Sequence, residues 1–238
     1  MKIDLHTHTV LSGHAFGTVQ ENARAAKKKN ISLLAITDHG PALLGAACEI
    51  YFSCGDRIPK IINGVRVLFG VEANIINENG DLDLSDKVLK KLDLVIAGFH
   101  KEVGYNDQGI DKNTEVLIRA MENKYVKIIS HPYAAGIAVD MEKITYAAIK
   151  HNVLLELNAS YFFTGKINNE KVWSGIKIMV KILKDNGKKI LINSDAHNPS
   201  EIGEFNEVIL KFKELGIDKK DILNYNKKEV LDFLNINN

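Results

Sequence analysis

Seven short apolar stretches punctuate the chain at a nearly regular interval: KIDLHTH from Lys2, SLLAITDH from Ser32, VRVLFGVEAN from Val65, LDLVIAGFH from Leu92, VKIISHP from Val126, VLLELNA from Val153 and KKILINSDAH from Lys188. Each has the length of a strand. Most are apolar at odd and even positions alike, the pattern of parallel strands covered on both faces. Their starts lie about 30 positions apart, which leaves room for a crossover helix between neighbours. Amphipathic periodicity predicts helices over Val19 to Lys29, Asn113 to Asn123, Asp140 to His151 and Glu170 to Asn186.

Strand-plus-crossover units of this kind build either an open doubly wound sheet or a closed barrel. The residues that finish the apolar stretches favour the barrel. His6 and His8, His39, Glu72, His100, His131, then Asp195 and His197 end six of the seven. An open sheet concentrates its site at one crevice, whereas a ring delivers the C-terminal end of every strand to one mouth. The sixth stretch ends instead in Asn158, suited to a hydrogen bond with substrate at the rim rather than to a metal. The expectation is an α/β barrel of seven strands in one domain, residues 1–238.

Composition narrows the function. At 238 residues and 45% hydrophobic, the chain can bury a substantial core. A formal charge of +1 gives no overall field for a polyanion or a membrane surface, which counts against a nucleic-acid partner. No apolar run approaches the roughly 18–20 residues of a membrane span, and the start lacks the layout of a signal peptide, so the protein is expected in the cytoplasm. Cys48 and Cys54 are too few for a disulfide framework and wrongly spaced for a redox pair; reduced thiols are expected. The glycines form no phosphate-binding motif, so nucleotide binding has no support. A homo-oligomer is left open.

The chemistry then rests on the histidines. His6 and His8 are two apart on a strand and so share a face, and the following loop returns a third imidazole, His14. Imidazole nitrogens mixed with carboxylate oxygens suit zinc, manganese or iron better than calcium or magnesium. His151, in AIKHNV, falls at a helix end, where dipole and solvent explain it. Asp38, in TDHG, is expected behind the ligands, orienting the His39 ring.

Taken in order, DLHTHTVLSGHA, LLAITDHGP, GVEANI, LDLVIAGFH, IISHP and NSDAH resemble the PHP family, the polymerase and histidinol phosphatase superfamily, and within it the YcdX-type phosphatases. The resemblance runs from residue 2 to about residue 234; TDHG or SHP alone is weak, but the ordered set is specific. It implies a distorted seven-stranded (β/α)7 TIM-like barrel with three divalent metal ions at the C-terminal ends of the strands, zinc foremost, manganese or iron as alternatives. By motif, His6 and His8 would share one metal with Glu72 and Asp195. Glu72 would bridge to a second, held also by His100 and His131, and a third would take His14, His39 and His197. The clearest departure is AACEIYF, Ala46 to Phe52, where close relatives often carry extra histidine and tryptophan, so substrate specificity does not transfer.

Three dications against two carboxylates and seven neutral imidazoles would make a strongly positive pocket, which calls for an anion. The expected reaction is hydrolysis of a small phosphate monoester. Metal-bound water would be the nucleophile, Glu72 and Asp195 the catalytic carboxylates that hold the metals, with no covalent intermediate. Arg57, Lys101 and Lys166 are candidate phosphate clamps, although isolated basic residues are ordinarily solvated. Competing readings are a phosphodiesterase or 3′-to-5′ exonuclease, a histidinol phosphatase, and a metal-binding module without turnover.

Overall fold

The structure is a computed structural model that describes residues 1–134 and 136–237. Its strands are β1 (Ile3–Asp4), β2 (Leu33–Ile36), β3 (Ile61–Ile62), β4 (Val65–Asn74), β5 (Leu94–Gly98), β6 (Val126–Ile129), β7 (Leu154–Asn158) and β8 (Leu191–Asn193). All but β3 run parallel in the order β1-β2-β4-β5-β6-β7-β8, while β3 pairs antiparallel with the start of β4. Seven parallel strands thus make a nearly closed barrel, the expected TIM-like α/β fold.

The seam between β1 and β8 is joined mainly by side chains. One backbone bridge links Thr7 to Ala196. Below it, Asn193 Oδ1 accepts from the Leu5 amide, and the Asp4 carboxylate accepts from the amide and hydroxyl of Ser194. Lower still, buried Asn224 stands in for a strand, accepting from the Ile192 amide and donating to the carbonyls of Ile3 and Ile192.

Four longer helices pack outside: α1 (Val19–Lys28), α2 (Ile110–Met121), α3 (Met141–His151) and α4 (Glu170–Asp185). Three begin on side-chain caps from Thr18, Asp140 and Asn169, whose oxygens accept the first free amides. α2 begins three residues earlier than its periodicity predicts, behind Gly109 at φ 90°, which offers no side-chain cap. Not every connection carries a long helix: β2 to β3 has two short turns, Glu49–Phe52 and Gly55–Arg57, and β4 to β5 has one, Asp86–Leu89.

Strand parity separates two cores. Along β4, Val65, Val67, Phe69, Val71 and Ala73 face the helices, and Leu68 faces the barrel interior with Leu33, Leu94, Ile96, Ile128 and Leu191. The interior apolar layer is closed below by α5 (Lys227–Phe233), through Val230 and Leu231. Above it the interior turns polar, with His6, Glu72, Glu156, Asn158 and Asn193 all fully buried. That change of lining sets the site at the C-terminal mouth. Among the described residues, no helix is long and apolar enough to cross a membrane.

Candidate metal centre

Backbone pairing brings the ligand candidates together. Extension of the β2–β4 ladder sets His39 beside Glu72, with the Glu72 amide donating to Asp38 O and the Gly40 amide to Glu72 O. His100, His131 and Asp195 each sit two residues beyond the end of a strand. His131 and Asp195 hold positive φ, 27° and 54°, a conformation that costs about 1–3 kcal/mol and is found where a site over-determines the backbone.

Glu72 is the hub. Its Oε2 lies 3.2 Å from His6 Nε2, 3.5 Å from His8 Nε2 and 3.0 Å from His39 Nδ1; its Oε1 lies 3.2 Å from both His100 Nε2 and His131 Nε2. Asp195 Oδ1 is 3.5 Å from His6 Nε2 and 3.1 Å from His8 Nε2, and those two nitrogens are 3.0 Å apart. Such distances match the edges of a tetrahedron around an ion: bonds of about 2.0–2.1 Å imply edges of about 3.3 Å. Both Glu72 oxygens, His39 Nδ1 and His100 Nε2 are buried without a hydrogen-bond partner despite these neighbours. Lone pairs and ring nitrogens aimed at a shared point, rather than at each other, are what a cation requires. The donor set therefore fits divalent metal.

Among the described residues, three groups have donor atoms mutually within 4.8 Å: His6, His8, Glu72 and Asp195; His39, Glu72 and His100; His8, His39 and His197. The first has the members of the expected quartet. The second brings His39 rather than His131 to Glu72 and His100, and the third brings His8 rather than His14 to His39 and His197. The turn at Gly13, φ 83°, carries the exposed His14 to the rim, where its ring stacks on His39 and His197 at 5.1 and 4.7 Å.

A second layer fixes the rings. His6 Nδ1 faces Glu156 Oε1 at 2.7 Å; because a carboxylate only accepts, Nδ1 carries the proton and Nε2 keeps its lone pair for metal. Ser12 Oγ donates to Asp38 at 2.7 Å, so it accepts from His8 Nδ1 at 2.9 Å, again freeing Nε2. His197 Nδ1 donates to Asp195 O. Glu156 also accepts from the His131 amide, Asn158 and Asn193. The sequence reading missed Glu156, Ser12 and Tyr51; for Glu156 the signal was its shared parity with Asn158 on one strand.

Two expectations need correction. Asp38 does not bond the His39 ring: its carboxylate accepts from Thr9, Ser12 and Tyr51, so it supports His8 through Ser12. Asn158, expected at the rim against substrate, lies below it instead. It is fully buried, donates to Glu156 and Asp195, and accepts from Ser160, which leaves it to hold ligands in place. Lys101 and Lys166 line a cavity of about 280 Å³ next to His100, His131 and Asp195. Arg57, exposed on the turn Gly55–Arg57, does not line it.

The electrostatics are those of a cation site. Burial alone would raise the Glu72 carboxyl, but His6, His100 and His39 outweigh it and hold the group well below the carboxylate range. Asp195 behaves alike, burial being overcome by His6 and His8. Burial pushes His8 down to about 4 and His39 to about 3, with neighbouring imidazoles adding to the effect, so both stay neutral as ligands must. His6 goes the other way: burial would lower it, but Glu156, Glu72 and Asp195 raise it well above the ordinary value. Without metal, a proton there answers the negative charge that a cation would otherwise meet.

Residues 4–195 match the PHP domain. A protein named "Probable phosphatase" from Caldanaerobacter subterraneus subsp. tengcongensis is 39% identical over 98% of this chain and 90% of its own length. Another of that name from Proteus mirabilis is 40% identical over 98% and 93%. In structure, the chain resembles histidinol phosphate phosphatase from Lactococcus lactis, solved with zinc, L-histidinol and phosphate: TM-score 0.64, 14% identity, covering 91% of this chain and 94% of that one. With the domain matched over most of its length and such relatives along nearly all of it, this chain belongs to the PHP domain family.

Proposed function

We propose that this protein is a metal-dependent phosphatase that hydrolyses phosphate monoesters of small molecules. The observation that carries the proposal is the convergence of five imidazoles on the two partnerless oxygens of Glu72. His6, His8, Glu72 and Asp195 would hold one ion; Glu72, with His100 and His131, a second; His39 and His197, with His8 or His14, a third. Bound zinc, or manganese or iron in its place, would supply positive charge for phosphate oxygens and lower the pKa of water from about 16 towards about 7.

The chain's own work is to preorganise. Glu156 and Ser12 lock the tautomers of His6 and His8, and Asn158 keeps Asp195 from turning away. Relatives named as phosphatases and a neighbour solved with zinc and phosphate support the same reading. The test is hydrolysis of p-nitrophenyl phosphate by the purified protein, with and without chelator. Turnover that chelator abolishes and added zinc or manganese restores is expected. Turnover indifferent to chelator, or cleavage of bis-p-nitrophenyl phosphate in preference to the monoester, would contradict it.

A further inference from the structure

The cavity beside the metal centre has an asymmetric wall. His100, His131 and Asp195 border it on the side of the cluster; Phe99, Pro132, Ile137 and Tyr161 give it apolar faces, and Lys101 and Lys166 add two ammonium groups. Among the described residues, Asp195 is the only carboxylate in that wall, and it is turned to the histidines. Among the described residues neither lysine has a carboxylate within 4.0 Å. Both lysines are exposed, and their charges stand unpaired by carboxylates at the solvent edge of a partly apolar cavity, where an anion would be held more strongly than in open water.

Lys166 stands one aromatic ring away from the candidate ligands. Lys166, on the turn Lys166–Asn168, has its ammonium 4.8 Å from the centre of the Tyr161 ring, and that ring lies 6.1 Å from the His131 ring. One aromatic ring thus intervenes in the series from ammonium to ligand histidine. Lys101 directly follows His100, and its stem passes beside Gly136, at ordinary van der Waals distance from where a Cβ would stand. Because the cavity shares His100, His131 and Asp195 with the cluster, it is open to whatever part of a substrate extends from them.

We infer that the cavity receives the leaving group and that Lys101 and Lys166 select substrates whose alcohol portion carries a second anionic group, a carboxylate or another phosphate. This rests on the phosphatase reading and deepens it, giving the lysines the distal anion rather than the phosphoryl group under attack. An ammonium-bearing leaving group, by the same charges, is disfavoured.

The test uses non-hydrolysable ligands, so it does not depend on turnover. Calorimetric titration of the purified, metal-containing protein with propylphosphonate, 3-phosphonopropionate and propane-1,3-diphosphonate compares a neutral tail with a carboxylate and a second phosphonate. At least one anionic-tailed ligand binds about tenfold tighter than propylphosphonate, and whichever is favoured identifies the anion. In the Lys101→Met/Lys166→Met double variant that preference falls to about twofold or less. Equal affinity of all three ligands for the unaltered protein, or no binding of any, would overturn the inference. So would a double variant that weakens all three equally, because the lysines would then be clamping the phosphoryl group. Preference without p-nitrophenyl phosphate turnover would remove the phosphatase reading and keep the anion pocket; turnover without preference would do the reverse.

Discussion

Glu156 shows how much of the site lies behind its ligands. It touches no candidate metal position directly, yet its two oxygens accept from His6, the His131 amide, Asn158 and Asn193, so one buried carboxylate orients parts of four segments. Replacing it with glutamine keeps the shape but turns one acceptor oxygen into a donor amide. Either His6 loses its acceptor or the His131 amide and Asn158 face a donor. Metal affinity of Glu156→Gln, measured by competition with a chromophoric chelator, is expected to fall about 10–100-fold while the circular dichroism spectrum stays unchanged. Unaltered affinity would show that His6 needs no orienting partner. The residue was illegible at first because the apolar run VLLELNA reads as a strand buried on both faces; only parity, with Glu156 and Asn158 both turned inward, distinguishes it from core.

At the scale of elements, much was legible because periodicity and caps act locally. The stretch from Val65 to Asn74 forms one strand over its full length, and three of the four helices start within one residue of the expected position, behind the caps that Thr18, Asp140 and Asn169 supply. The short turns in the connections after β2 and β4 left no such trace, being too short for a helical period. Nor did the β1–β8 seam, whose ties run between residues 188 to 221 positions apart. There Asn224 completes the hydrogen bonding of two strands with one amide. Asn224→Ala leaves the Ile192 amide and two carbonyls without that partner, and each buried unpaired group costs about 1–3 kcal/mol. A fall in unfolding free energy of at least about 2 kcal/mol in urea is expected; an unchanged midpoint would mean that the barrel does not depend on this closure.

At the scale of the whole molecule, the site joins elements that the barrel holds together only loosely. His6 and His8 follow β1, Asp195 follows β8, and both sides converge on Glu72 in β4. A cation would therefore fasten the seam as well as serve chemistry. Which residues converge was readable from the order of the motifs, since each ends an apolar stretch. How they divide among ions was less so, because loop geometry, here the turn at Gly13, decides whether His8 or His14 stands with His39 and His197.

The most direct test of the account is the metal content of the purified, folded protein by elemental mass spectrometry. It predicts zinc, manganese or iron totalling about three ions per chain, one for each of the three groups of candidate ligands. A correctly folded protein that carries no transition metal, and takes up none when zinc or manganese is supplied, would contradict it.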